Sequence, residues 1–256
     1  MIANFHTHTP RCGHAVGTEE EYVQHALQRG LNTLGFSDHT PYLFPGDYYS
    51  NFRMRPEALP AYADTVRGLK KQHQGRLDIH LGVEAEYYPA FFKDTLALLR
   101  ENGVEYLLLG QHCYWNEWDG KFSGTPTADQ TDIKQYCHIT MEAMNTGLFT
   151  YFAHPDMFRF VGEDSVYTPY MHRLCREAKS CGMPLEINLL GIEEQRHYPR
   201  RRFWEIAAEE GCSVVIGCDA HRPEALSVTA PEQQALVLIE ELGLTLLPAA
   251  ELRSIL

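Results

Sequence analysis

The chain has 256 residues, 22 Lys and Arg against 34 Asp and Glu, a net charge of −12, and a hydrophobic fraction of 44%. This is an ordinary globular composition with enough chain for a large core, and it excludes a disordered polypeptide. The acidic balance disfavours nucleic acid or an anionic membrane as main partner, and no apolar run reaches the roughly 18 residues a membrane span needs.

The seven Cys are odd in number and scattered, which reads as reduced thiols and not as a disulfide framework. The opening Met1-Ile2-Ala3-Asn4-Phe5-His6 lacks the basic and apolar regions of a signal peptide. A cytoplasmic location is expected. No linker or low-complexity tract divides the chain, so a single domain over 1–256 is expected.

Short apolar runs alternate with helical patterns along the chain. The first run, Ile2-Ala3-Asn4-Phe5, is followed by a capping box, Thr18-x-x-Glu21, with apolar Val23, Ala26 and Leu27 and a stop at Gly30. Leu34-Gly35-Phe36 predicts a second strand, and Pro56 to Lys71 a helix with Leu59, Tyr62, Val66 and Leu69 at spacings of three and four. Ile79 to Val83 and Tyr106 to Leu109 predict strands, with helices over Ala90 to Arg100 and Asp129 to Met144. Tyr151-Phe152-Ala153, Leu185-Glu186-Ile187 and Val214-Val215-Ile216 complete seven strands; Tyr170 to Lys179, Arg202 to Glu210 and Pro231 to Leu242 are the remaining helices. Strands alternating with helices imply a parallel sheet, as a closed barrel or a long open sheet.

Polar side chains follow every predicted strand: His6-Thr7-His8, Asp38-His39, Glu84-Ala85-Glu86, Gln111-His112, His154-Pro155-Asp156, Asn188 and Asp219-Ala220-His221. Barrel enzymes gather their sites at that face, whereas an open sheet concentrates them at one switch point, so a barrel is expected. His6-x-His8 and Asp219-x-His221 each put two donors on one strand face, because side chains alternate with period two. Imidazole with carboxylate suits Zn, Fe and Mn. Any one of these positions alone reads as a solvated or hydrogen-bonded residue; their coincidence at successive strand ends argues for a metal site.

Those motifs, together with Cys12-Gly13-His14-Ala15, Asn51-Phe52-Arg53-Met54-Arg55 and Glu84-Ala85-Glu86-Tyr87, resemble the PHP (polymerase and histidinol phosphatase) superfamily, on its histidinol-phosphatase branch. The resemblance implies an α/β fold, a distorted seven-stranded (β/α) TIM-like barrel, with a trinuclear metal centre. Carried onto this chain, one metal takes His6, His8, Glu84 and Asp219. A second shares Glu84 and adds His112 and His154, and a third takes His14, His39 and His221. Two to three divalent Zn, Fe or Mn ions are implied. The implied reaction is in-line attack of metal-bound hydroxide on a phosphomonoester, with L-histidinol phosphate, an intermediate of histidine biosynthesis, as the leading substrate.

Arg159 and Arg196 sit where the resemblance places phosphate-binding arginines, although Glu193-Glu194 departs from the more basic stretch usual there. His197 is a candidate proton donor. Glu86, Asp156 and Asp38 are candidate orienters of His ligands. The aromatic stretch Tyr42 to Phe52 is either a lid or a packed loop, and Arg53 and Arg55 are left unassigned. His25, His73, His80, His138 and His172 read as structural, and Cys12, Cys113 and Cys218 are set aside.

Three other readings compete. Another small phosphate ester or a phosphodiester remains open as substrate, but a nuclease needs a basic track that this chain lacks beyond Arg200-Arg201-Arg202. An amidohydrolase also opens with HxH, but the third histidine set, the terminal Asp-x-His and the absence of a bridging Lys argue against it. An inactive relative usually loses ligands, and none is lost here.

Overall fold

In the computed structural model, which describes residues 1–118 and 120–256, eight strands form one parallel sheet in the order β1 to β8. They are β1 (Ala3–Asn4), β2 (Thr33–His39), β3 (Asp78–Ala85), β4 (Tyr106–Leu109), β5 (Phe149–Phe152), β6 (Leu185–Asn188), β7 (Ser213–Gly217) and β8 (Thr245–Leu246). The helices are α1 (Glu19–Arg29), α2 (Leu59–Gln72), α3 (Pro89–Glu101), α4 (Gln130–Asn145), α5 (Asp164–Ser180), α6 (Leu189–Glu193), α7 (Arg201–Glu210) and α8 (Ala230–Leu242). No described helix is long and apolar enough to cross a membrane.

The expected seven strands are therefore eight. β8 escapes the sequence pattern because it is two exposed residues, held by pairing with Ser213 and Val214. The sheet is curled, and a single parallel bridge, Thr7 to Ala220, joins β1's continuation to the chain after β7. This is a curled α/β half-barrel and not a fully laddered seven-stranded barrel.

Local chemistry accounts for the helix ends. Thr18 and Glu21 form the capping box that starts α1, and Gly30 ends it in the left-handed region at φ 79°. Asp129 accepts from the Thr131 N–H to start α4. Two helical segments exceed the sequence pattern. α5 begins at Asp164 and runs through Pro169, because Tyr167, Met171, Leu174, Cys175 and Ala178 all bury against the core. The short α6 is started by Asn188, whose side chain accepts from the Gly191 N–H.

One large apolar cluster lies between sheet and helices, and a second fills the concave side around Phe5, Tyr106, Leu108, Tyr151 and Val215. Tyr106 crosses the interior. A Cβ at Gly35 would stand 2.2 Å from its hydroxyl and one at Gly82 2.3 Å from its ring, so only glycine on β2 and β3 admits it. The hydroxyl lies 2.8 Å from the Phe5 carbonyl oxygen. This plug keeps the lower part of the sheet apolar and leaves the carboxyl ends for polar residues.

Candidate active site

The Thr7–Ala220 bridge builds the first part of the site. His8 N–H donates to the Ala220 carbonyl at 2.9 Å and Ala220 N–H to the His6 carbonyl at 3.1 Å. His6 and His8 flank one bridge residue and Asp219 and His221 the other, so period-two alternation turns all four side chains to the same side. His8 Nε2 lies 3.1 Å, and His6 Nε2 3.5 Å, from Asp219 Oδ1.

Glu84, on β3, is the hub. Register places it opposite His39 on β2, and His39 Nδ1 is 3.2 Å from its Oε2. His6 Nε2 and His8 Nε2 are each 3.6 Å from that same oxygen. Its other oxygen receives His154 Nε2 at 2.8 Å and His112 Nε2 at 3.4 Å. Gly110 makes this possible: a Cβ there would stand 1.9 Å from Glu84 Oε1. His14, His39 and His221 bring their ring nitrogens within 4.8 Å of one another, with His14 Nε2 2.9 Å from His221 Nε2. The nine residues singled out in the sequence thus converge on one locus.

Burial and charge shape it. His6, His8, Glu84 and Asp219 are all buried. Burial opposes ionisation of Glu84, but His112 and His6 outweigh it and hold its carboxyl well below the usual range. Burial also opposes ionisation of Asp219, and His6 and His8 hold it well below. Burial depresses His8, yet Asp219 and Asp38 raise it to about 9. Burial and the neighbouring His8 charge drive His221 down to about 3 and His39 well below its ordinary value. Those imidazoles stay neutral and keep a lone pair for a cation.

A cation fits this donor set. His6 Nε2, both ring nitrogens of His8, His39 Nδ1 and Glu84 Oε2 are buried and have no hydrogen-bond partner. Buried polar atoms without partners are costly, and His6 Nε2, His8 Nε2, His39 Nδ1 and Glu84 Oε2, gathered around the Glu84 carboxylate, form a ligand set for a metal, while His8 Nδ1 faces Asp38 on the other side of its ring. His154 and Asp219 have φ of 31° and 48°, the left-handed region that side chains other than glycine seldom occupy.

The supporting residues correct parts of the sequence reading. Glu86 does orient a histidine, accepting from His112 Nδ1 at 2.8 Å. Asp38 lies 3.6 Å from His8 Nδ1. Asp156 does not contact a ligand histidine's ring; it accepts from the Arg200 N–H at 2.6 Å and the Trp204 indole at 2.9 Å, anchoring the start of α7. Burial pushes its carboxyl up to about 6.

Sequence reasoning missed Glu186. Its Oε1 accepts from His6 Nδ1 at 2.8 Å and its Oε2 from the His154 N–H at 3.0 Å. Glu186 follows the first residue of β6 in the middle of an apolar run, and an acidic residue there was the available signal. Arg53 is also now accounted for. It is buried, pairs with Glu86 at 3.0 Å and with Glu117, and lies 4.4 Å from the Phe52 ring centroid. Cys12 lies close enough to join a ligand group with His8 and His221, although burial pushes its thiol up to about 12. His25, His73, His80, His138 and His172 each have partners away from the site. All seven cysteines are free.

Above the cluster opens a cavity of about 400 Å³. His14, His39, His112, His154, Asp219 and His221 face it, with apolar Phe52, Phe122, Met157 and Leu190 and polar Glu194, Arg196 and Tyr198. The Tyr42 to Phe52 stretch thus contributes one wall residue, Phe52, while Tyr42 is buried against Tyr88 and Phe44. Arg159 is exposed and outside this lining, but its charge contributes, after burial, to lowering the pKa of His197. His197 is also outside the lining, with Nε2 2.7 Å from the Met157 carbonyl oxygen.

Comparison with known proteins agrees with this arrangement. The family model for the PHP domain matches residues 4–189. A protein of Deinococcus radiodurans described as "Probable histidinol-phosphatase" is 33% identical over 234 residues, covering 87% of this chain and 87% of that protein. The crystal structure of histidinol phosphate phosphatase from Lactococcus lactis, complexed with zinc, L-histidinol and phosphate, shares the fold with a TM-score of 0.73 at 18% identity, covering 96% of this chain and 95% of that one. The crystal structure of a Listeria monocytogenes protein described as "putative histidinol phosphatase" has a TM-score of 0.68 at 19% identity, covering 87% of this chain and 96% of that one. On the family match and the Deinococcus relative, the chain belongs to the PHP family and falls among its phosphatases.

Proposed function

We propose that this protein is a metal-dependent phosphomonoesterase of a single domain, 1–256, that hydrolyses L-histidinol phosphate in the cytoplasm. The observation that carries the reading is the set of buried, unpartnered donor atoms around Glu84, opening into a cavity that holds Arg196 and an apolar wall.

His6, His8, Glu84 and Asp219 would hold one divalent cation, Glu84 with His112 and His154 a second, and His14, His39 and His221 a third. Zn, Fe and Mn all suit these donors. Bound there, such cations polarise phosphoryl oxygens and lower the pKa of water toward neutrality. The chain's own residues do the rest. Glu186 and Glu86 fix the rings of His6 and His112 through their Nδ1 atoms. Arg196 supplies a planar fork for phosphate oxygens opposite the cluster, with Arg159 as a nearby second charge. Phe52, Phe122, Met157 and Leu190 offer apolar surface within the cavity to a small ring. His197, with Nε2 held by the Met157 carbonyl, would serve as proton donor through Nδ1 only as an imidazolium, a form that burial disfavours.

The test is phosphate release by protein of measured metal content, with L-histidinol phosphate set against other small monoesters and against diesters. Histidinol phosphate should give the highest kcat/KM, and a chelator should abolish turnover. A higher kcat/KM on a diester, or full activity in metal-free protein, would overturn the reading.

A further inference from the structure

Arg196 is not idle in this structure. Its Nε and Nη2 lie 2.8 and 2.7 Å from Glu194 Oε2, and its Nη1 lies 2.7 Å from the Tyr198 hydroxyl. A carboxylate oxygen on the side of the guanidinium fork occupies a position that a phosphate oxygen would take. Glu194 and Arg196 both line the cavity, and their side chains are 51% and 39% exposed. An ion pair so open to solvent is screened and easily exchanged.

Glu194 stands apart from the other acidic group in that lining. Asp219 is buried with His6 and His8, whereas Glu194 is clear of the histidines and paired to the arginine alone. The rest of the lining is imidazole, apolar or phenolic. Among the described residues of the cavity, Glu194 is therefore the carboxylate available to a cationic group on a ligand.

We propose that Glu194 is a specificity-determining residue that works by exchange of partners. The substrate's phosphate displaces the Glu194 carboxylate from Arg196, and the released carboxylate accepts the substrate's protonated amine. This rests on the reading of the site as a phosphatase of an amine-bearing phosphate ester. The charge balance is kept throughout, so no ion is left in the cavity without a counter-charge. In L-histidinol phosphate the amine sits on the carbon next to the one bearing the phosphate ester, and the Glu194 carboxylate and the Arg196 guanidinium are in direct contact, 2.7 Å apart. A grip for the cation beside the grip for the anion matches that spacing. An ester without the amine meets the same Glu194 as a competitor on Arg196 and gains nothing from its release. The acidic Glu193-Glu194 pair thus has a use: Glu194 selects the amine, while Glu193 turns away to Arg222.

The experiment compares Glu194→Gln with the parent protein, both metal-loaded, on L-histidinol phosphate and on its analogue lacking the amine. Inorganic phosphate serves as competitive inhibitor and as a calorimetric titrant. In the variant, kcat/KM on histidinol phosphate should fall by about tenfold or more, as expected for loss of one charge-assisted contact. On the amine-free analogue it should hold or rise, and inorganic phosphate should bind several-fold more tightly, because Arg196 is no longer contested. Glu193→Gln should change none of these. Equal losses on both esters, or no loss on either, overturn the proposal. If the parent protein hydrolyses neither ester, the phosphatase reading fails, and the exchange is then judged by the titration: unchanged phosphate affinity in Glu194→Gln overturns it.

Discussion

Replacing Gly110 by Ala should remove the metal site while leaving most of the fold in place. The added Cβ would stand 1.9 Å from Glu84 Oε1, 2.5 Å from Cδ and 2.6 Å from Cγ. Ordinary carbon contacts are about 3.5–4.0 Å, so the Glu84 side chain or the β4 terminus must withdraw by about 1.5 Å. Metal–ligand distances tolerate only about 0.2 Å. Glu84 Oε1 is the atom facing His112 and His154, and Oε2 the one facing His6, His8 and His39, so its displacement disturbs the whole cluster. Overpacking of this kind costs a fold about 1–3 kcal/mol, a loss that a domain of this size survives. We expect metal affinity to fall by at least about a hundredfold, more than the loss typical of an outer-sphere change, and activity to fall with it. Elemental analysis after equilibration with graded chelator, circular dichroism and a thermal melt separate the two effects. A folded Gly110→Ala protein with full metal content and full kcat/KM would refute the argument that Gly110 exists to admit Glu84.

Glu186→Gln should lower metal affinity by about 10–100-fold, because one of its two acceptors, for His6 Nδ1 or the His154 N–H, becomes a donor facing a donor; unchanged affinity in a chelator competition would contradict that. Metal affinity should also rise steeply with pH between 7 and 9, because a cation must displace protons both from buried His8, which Asp219 and Asp38 raise to about 9, and from buried His6, which Glu186, Asp219 and Glu84 hold well above the ordinary imidazole value. A flat affinity profile between pH 7 and 9 would show that neither His6 nor His8 binds a proton in the free protein. Asp156 makes the opposite kind of prediction. Burial raises its folded pKa to about 6, above the ordinary carboxylate value, so the stability it contributes is present at low pH and is lost as pH rises through about 6. Asp156→Asn should therefore gain stability relative to the parent between pH 4.5 and 8, and parallel melting profiles of the two proteins would contradict this.

The sequence by itself determined the parts that depend on local periodicity and residue type. Strand–helix alternation, the capping box at Thr18, the His6-x-His8 and Asp219-x-His221 pairs, and donor side chains at successive strand ends were all legible, because each follows from spacing along a few residues. What lies across the curled sheet was not. Glu186 reaches His6 across 180 residues, Arg53 reaches Glu117 across 64, and Asp156 reaches Trp204 across 48. No local pattern marks those pairs. β8 forms only because β7 offers it an edge, and α5 runs through Pro169 only because its apolar face is buried. Register decided that Glu84 sits opposite His39, and the missing Cβ of Gly110 decided that Glu84 has room to stand there. The physical reason is the same in each case: residue type sets which atoms can serve as donors, acceptors or core, while the curl of the sheet sets which of them meet and which are shut away from water.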